Sequence, residues 1–553
     1  MFRTSSLAFL VAVGCTSGAP VQDAAPPVDA PPVAAPSPAP AARAEAPAEA
    51  PAHPLEGLWE LRMERTVWWP YLVPGSLVVS RGPNGLRASL TFDSMWGIDP
   101  RRLTVEPVSG ETVRLDLMLF GEEPHAIVEG TVKDGAFTGQ IDWKGAKPQE
   151  KCFISASRLA PLRRLEADSQ GGPLPLAADL GSMGIDAASL DRLILYAGRY
   201  DTDSLVVVTD GSIVCDCTFL RPRCTCETDI VTQAVASLAI PLLVEDGRLP
   251  RELDTPLSTW SPQWKTDARK SKITLRHVLT HSTGLAQYDR GSVNGDYVEA
   301  AVGAAAVREP GERCEYNSQA IELLSGVVAK AAGEPIDTYL ERRLLRPLGI
   351  VRWRWPRDDA GNSPAYGALY LSGPDLALVG SLLADGGLWQ GKQLVPKWWI
   401  DEMLVPSAAN EEMGLVWNLA RDPAKETVFQ TQARLDRLKQ YGFVDTERLA
   451  PLVGKSFESR GAWWQAVKGI LGEAGAKALH ERLPYDAVGG ELRGPVEWAY
   501  LRGSNGQCVV VSPERRLAVA RLRRPFAENE LPEDVKQRAG FHDLVDLVRN
   551  LTW

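Results

Sequence analysis

The stretch TDIVTQAVASLAIPLLVEDG, residues 228–247, decides how the chain is read. It is mostly apolar from Ile230 to Val244, so a helix built from it has little solvent face and belongs in a core. Thr228 or Asp229 can cap its start, and Gly247 can close its end. Pro241 lacks an amide hydrogen, which predicts a kink rather than a stop. A helix buried on all sides needs layers around it, and the flanking sequence supplies them.

Upstream, DAASLDRLILYAGRY (186–200) predicts a helix and SLVVVTDGSIVCDCTF (204–219) a β-hairpin. Downstream, the chain is mostly helical and loop-rich to about residue 400. Residues 423–483 alternate charged and apolar residues at helical spacing and predict an inserted helical piece. Strand patterns return in QCVVVSPERRLAVARLRR (507–524), and FHDLVDLVRNLTW (541–553) predicts a last helix. Strands at both ends with helices between predict one sheet assembled from distant parts, beside an all-helical lobe. The expected fold over 178–553 is therefore α/β and two-lobed, an antiparallel sheet flanked by helices, with a cleft between the lobes. Residues 54–165 have a different texture: short alternating runs separated by PNG and KDG turns. These predict a small antiparallel all-β domain, a barrel or a sandwich.

The 553 residues carry a net charge of −10 and a pI near 5.4, with no basic block, which argues against a nucleic-acid partner. MFRTSSLAFLVAVGC (1–15) has an early arginine, a short apolar run and then Gly14-Cys15. It resembles a bacterial lipoprotein signal with lipid on Cys15; a plain secretory signal is the alternative. Residues 16–53 are dominated by Ala and Pro and predict an extended tether. No stretch approaches about 18 uninterrupted apolar residues, so membrane attachment is expected through lipid alone. The expected location is the bacterial cell envelope.

The order of several stretches resembles the serine β-lactamase and penicillin-binding-protein superfamily, in its class C and esterase branch. These are LLVEDGRL (242–249), KITLRHVLTHSTGL (272–285), PGERCEYNSQAIELLSGVV (310–328) and LERRLLRPLGI (340–350). AYGALYLSGPDLALVGSLLADGGLWQGKQLVP (365–396) and GSNGQCVVVSPERRLAVARLR (503–523) complete the set. The resemblance covers residues 186–553, about two thirds of the chain. It implies three chemical elements: Ser-x-x-Lys at the start of the buried helix, Tyr-x-Asn, and Lys-Thr-Gly or a variant on an edge strand.

Counting back from Gly247 places the serine position at Ile230 and the lysine position at Gln233. Isoleucine has no nucleophilic atom, and a neutral amide does not replace a titratable amine. No lysine anywhere in the chain has Ser, Thr or Cys three residues before it, so no shift of register restores the pair. CEYNS supplies Tyr316 at the family's tyrosine position, with Ser318 where Asn is usual. LRGSNGQ (501–507) places Arg502 and Gly503 in the Lys-Thr-Gly region, as binding candidates or as a plain glycine-rich turn.

Other constellations lie beside these. Of eight cysteines, Cys215, Cys217, Cys224 and Cys226 cluster in CDCTFLRPRCTC. A hairpin turning at 218–223 would pair Cys215 with Cys226 and Cys217 with Cys224 as two disulfides. A four-thiolate zinc site is the rival, less suited to C-x-C spacing. Cys314 and Cys508 flank cleft motifs by family geometry, and a bridge between them is conceivable. His277 and His281 have metal-compatible spacing but fall in the family's structural loop. GGLWQGKQ (386–393) reads as a turn rather than a phosphate loop, and the tryptophans as packing residues. No metal or cofactor is expected. The function expected is that of a catalytically degenerate hydrolase relative binding a peptidoglycan fragment, a peptide or an amide- or ester-like molecule. An active amidase or esterase using Thr232, Ser237 or a cluster cysteine is one alternative, and a structural envelope lipoprotein is another.

Overall fold

The computed structural model describes residues 56–552 apart from 66–71, 83–84, 93–102, 110–111, 118–125, 135, 144–151, 159–172, 201, 220–224, 288–294, 423–424, 441, 482, 484–488 and 525–540. The leader with Cys15 and the Ala/Pro-rich segment lie outside the described residues, as does Cys224.

Eight strands form one antiparallel sheet near the N-terminus: β1 (Gly57–Arg65), β2 (Leu72–Gly82), β3 (Gly85–Phe92), β4 (Leu103–Ser109), β5 (Thr112–Leu117), β6 (Ala126–Lys133), β7 (Ala136–Trp143) and β8 (Cys152–Arg158). Their spatial order is β3-β2-β1-β8-β7-β6-β5-β4, an up-and-down meander in which the first strand pairs with the last. The end strands β3 and β4 approach one another, so the sheet curls toward closure. Period-two alternation sorts the faces: Trp59, Leu77, Val79, Val132 and Phe137 share one face by register and are buried. Leu58 and Val78 lie on the opposite face and are also buried, where β1 and β2 run beside the helix α1 (Ala187–Arg199).

A second sheet has six strands: β9 (Ser204–Thr209), β10 (Ser212–Thr218), β11 (Asn418–Arg421), β12 (Val496–Arg502), β13 (Cys508–Ser512) and β14 (Leu517–Leu522), in the order β10-β9-β14-β13-β12-β11. It is antiparallel throughout and joins strands from both ends of the domain. β9 and β10 meet through Asp210-Gly211, both at positive φ (46° and 69°), the conformation that a two-residue Asp-Gly hairpin turn requires. Both faces of this sheet are covered. Val206, Val208, Val509, Val511 and Ala520 enter one core, while Leu205, Val207, Val510 and Val519 enter another. The second core is completed by α1 and the last helix (Phe541–Arg549).

The opening stretch folds as three pieces: a 3-10 turn (Asp229–Val231), α2 (Thr232–Ser237) and α3 (Ala239–Glu245). Every residue of α2 is buried. The interruption falls at Leu238, three residues before Pro241, where the missing proline amide breaks the hydrogen-bond ladder. Gly247 closes α3 at φ 68°, with Arg248 N bonding Leu243 O at 2.8 Å. Against α2 and α3 packs the helix α4 (Glu322–Ala332), and the mostly apolar helix α5 (Gly373–Ala384) shares their core and lies on the second sheet.

Residues 432–440 and 460–480 are helical, and with a 3-10 segment at 445–452 they enclose a separate core of Val428, Leu435, Leu449, Trp463, Val467 and Leu492. Thr427–Phe429 pairs with both Ser456–Phe457 and Glu491–Arg493 at the base of this unit. Trp264, Trp399, Trp417, Trp463 and Trp498 are fully buried, so these indoles serve packing. Among the described residues no helix is long and apolar enough to cross a membrane.

Candidate functional site

The start of α2 gathers the residues singled out from the sequence. Gln233 is wholly buried, and its Nε2 donates to the Tyr316 hydroxyl at 3.1 Å. Its Oε1 is buried with no hydrogen-bond partner. Tyr316 is 39% exposed, so it forms a surface over the glutamine that a ligand can reach. Ile230 is half-buried one turn before Gln233. The pair that resemblance assigns to nucleophile and lysine thus consists of a hydrocarbon and an amide, and neither can take up or release a proton.

The loop carrying Tyr316 is fixed from behind. The Tyr316 ring lies 4.8 Å from the His281 imidazole, centroid to centroid. His281 is buried at φ 50°, and burial pushes its pKa down to about 4. Its Nδ1 accepts the Asn317 amide at 3.5 Å, which places the ring proton on Nε2. Asn317 spends its side chain on the loop: Nδ2 donates to Leu285 O, and Oδ1 accepts from the Gln319 and Ala320 amides. Ser318 follows it, half-buried. His277 caps its own helix through Thr274, so the two histidines serve local structure.

The hydroxyls weighed as substitute nucleophiles are occupied. Thr228 Oγ1 donates to Leu369 O, so the Thr232 hydroxyl donates to Thr228 Oγ1 at 2.9 Å and accepts from Leu369 N at 3.3 Å. Ser237 Oγ donates to Ala234 O at 3.0 Å inside the helix, and both side chains are fully buried. Neither Thr228 nor Asp229 caps the helix by a side-chain bond, contrary to the reading from sequence.

Asp229 has another use. It sits at φ 50°, and its Oδ2 accepts both the amide and the hydroxyl of Ser504, each at 2.6 Å. This joins the helix start to the loop after β12. Gly503 makes the approach feasible: a Cβ there would lie 2.6 Å from Gln507 Oε1 and 3.0 Å from Asp229 Cβ and Oδ2. Gln507 ties the same loop down, with Nε2 on Glu227 O at 3.2 Å and Oε1 on the Asn505 amide at 3.2 Å.

The structure corrects the sequence reading at the cysteines and sets Arg502 and Gly503 apart. Gly503 reaches the helix start, but Arg502 alternates to the other side of its strand, with Tyr500 and Cys508. Its guanidinium lies 5.0 Å from the Tyr500 ring centroid. Cys215 and Cys226 do not face across a hairpin. β10 folds back on β9, whereas Cys226 pairs with Leu371 in a separate two-stranded ladder. Cys215 instead shares a strand face with Cys217, their sulfurs 3.4 Å apart. The Cys217–Cys224 pairing involves a residue outside the described set. Cys314 packs with Ala409 and Met413, while Cys508 lies in the core beneath α1, so these two are free thiols in different cores. Burial raises their pKa values to about 11 and about 12. The GGLWQGKQ segment is a tight hairpin, Leu388–Trp389 against Lys392–Gln393, with Gln390 and Gly391 at positive φ.

With this architecture in place, comparison with known proteins gives the class. The chain belongs to the β-lactamase family: the family model described as Beta-lactamase matches residues 231–534. That span holds Gln233, Tyr316, Gly503 and Ser504, and it opens one residue after Ile230. Esterase EstB of Burkholderia gladioli is 28% identical over 142 residues, 22% of this chain and 36% of that protein. A β-lactamase-like protein of Arthroderma benhamiae is 25% identical over 156 residues, 25% of this chain and 26% of that protein. The chain thus spans about a third of the length of the curated relatives it matches, or less. Among solved structures, a class C β-lactamase from Rhodobacter sphaeroides is similar at 15% identity and a TM-score of 0.41, covering 66% of this chain and 99% of that one.

Proposed function

We propose that this protein is a catalytically degenerate member of its family that binds a ligand in the cleft beside Tyr316 without turning it over. The observation that carries the reading is the Gln233–Tyr316 hydrogen bond, at the place where the resemblance puts a lysine, with Ile230 at the serine position. Removing a nucleophile of this kind typically costs on the order of 10⁶ in kcat, more than a tyrosine alone offsets. Thr232 and Ser237 are buried and committed to backbone or neighbouring hydroxyls, which weighs against a substitute nucleophile. The ligand is a peptidoglycan fragment, a peptide, or an amide- or ester-like molecule. The protein works in the cell envelope, anchored by lipid on Cys15, with residues 16–53 as the tether.

Intact mass spectrometry after incubation with a fluorophosphonate and, separately, with a β-lactam tests this. The unmodified protein is expected to gain no mass, while an Ile230→Ser, Gln233→Lys variant gains an adduct at residue 230. An adduct on the unmodified protein overturns the reading, and its mapped residue identifies the nucleophile.

A further inference from the structure

Cys215 and Cys217 have no part in the cleft. They lie on the face of the second sheet that meets α1, in one core with Leu205, Val207, Val510 and Val519, whereas the residues of α2 belong to the core on the other face. Both side chains are buried, and their sulfurs are 3.4 Å apart. A disulfide bond forms at about 2.05 Å, so the pair has about 1.4 Å to close.

Strand geometry explains the approach. Residues two apart share a face, and their Cα atoms stand about 6.6 Å apart in a regular strand. That is just inside the limit of about 6.8 Å that a disulfide accepts. A bulge adds curvature immediately upstream: the pairing of β10 with β9 slips by one residue between Ile213 and Cys215, which leaves Val214 extra and bends the strand. A bridge near the edge of the permitted range is strained, and strain makes a disulfide easy to reduce. It would also enclose only Asp216, so it removes little entropy from the unfolded chain. Such a bond is a poor staple and a readily reversed one.

The position supplies access. β10 is the end strand of its sheet. Leu176 bridges its outer side at Ile213, close to the turn. The two cysteines lie toward the open end of the hairpin, where Thr218 against Ser204 is the last rung. Strand ends at a sheet edge open locally at a fraction of the cost of global unfolding, and opening here bares Cys217 first.

We propose that Cys215 and Cys217 are a redox-responsive modification site, joined into a reversible disulfide by exchange with a small-molecule disulfide. The Cys217 thiolate attacks one sulfur of the small molecule, forms a mixed disulfide and expels a thiolate. The Cys215 thiolate then attacks Sγ of Cys217 and expels the second thiolate. The two protons given up by the cysteines are taken by the two departing thiolates. The protein pair is oxidised by two electrons and the small molecule is reduced by two.

The sequence isolates this pair for measurement. Trypsin cuts after Arg199 and Arg223 but not between Arg221 and Pro222, and the peptide 200–223 holds Cys215 and Cys217 and no other cysteine. The folded full-length chain, reduced beforehand, is incubated with hydroxyethyl disulfide, quenched in acid, unfolded, alkylated, digested and analysed by mass spectrometry. The peptide is expected to lose both alkylation sites and to weigh two hydrogens less than its dithiol form. Dithiothreitol in native buffer is expected to restore both sites. A Cys215→Ala chain is expected to keep half of the small molecule on Cys217, because the resolving thiol is gone. The proposal is overturned by a wild-type peptide that keeps both alkylation sites, by one joined through Cys224 or Cys226 to the peptide 224–248, by a bridge that is reduced only in denaturant, or by a Cys215→Ala chain that takes up nothing.

Discussion

His281 offers a pH test whose size follows from its burial. The imidazole is fully enclosed behind Tyr316, and its pKa falls from 6.5 to about 4 because burial disfavours the charged ring. In the unfolded chain it titrates near 6.5, so below that pH the unfolded state binds a proton that the folded state refuses. The stability contribution is thus fully present above pH 6.5 and is lost as pH falls toward 4. Complete protonation corresponds to about 3 kcal/mol, and the part expressed between pH 7.5 and pH 5 is about 2 kcal/mol. The perturbation is His281→Asn, which accepts the same left-handed backbone at φ 50° and offers an oxygen to the Asn317 amide. Urea unfolding of both proteins, followed by tryptophan fluorescence at several pH values, gives the difference in stability while other titrations cancel. The variant's deficit at pH 7.5 is expected to shrink by about 2 kcal/mol at pH 5. A difference that stays constant over this range would refute the claim that His281 is held neutral by burial.

Three further outcomes follow from packing and charge. Leu242→Ala empties a fully buried position in α3 and is expected to cost about 2–5 kcal/mol in denaturant unfolding. Arg460→Met removes the cation that bonds both Glu412 and Glu426, two largely enclosed carboxylates. The expected cost is about 3–5 kcal/mol, read as a lower thermal midpoint that Arg460→Lys only partly restores. Gly503→Ala drives a methyl against Gln507 and Asp229 and is expected to destabilise by about 1–3 kcal/mol. In a double-mutant cycle, the cost of Gly503→Ala is expected to be smaller in a Gln507→Ala background, where the nearer clash is gone.

What could be read from the chain, and what could not, divides by distance along it. The Asp210-Gly211 hairpin, the Gly247 helix end and the Pro241 interruption are set within a few residues by backbone conformation, and each was legible. Gln233 beside Tyr316 was legible as a pair of positions only through the family resemblance. Asp229 was misread as a helix cap because its partner, Ser504, lies 275 residues away, and nothing local marks that bond. Arg502 and Gly503 could not be told apart in role, because a strand's two faces alternate by single residues. Only the pairing with β13 fixes Gly503 toward the helix and Arg502 away from it. The cysteine numbering is symmetrical about 218–223, but an Asp-Gly turn upstream had already claimed β10 for β9.

The unit between Phe429 and Glu491 departs and returns across one antiparallel pairing, Phe429 against Glu491 and Thr427 against Arg493, and it encloses an apolar interior of its own. Its ends are therefore already neighbours. Replacing the intervening chain with a tight turn would require almost no new closure of the backbone, and the entropic cost of joining the ends would be near the minimum for any loop. Geometrically it is an excursion from a strand pair, so its length can change without moving those strands; what binds it to the rest of the molecule is charge, Arg434 to Glu411 and Arg460 to Glu412 and Glu426.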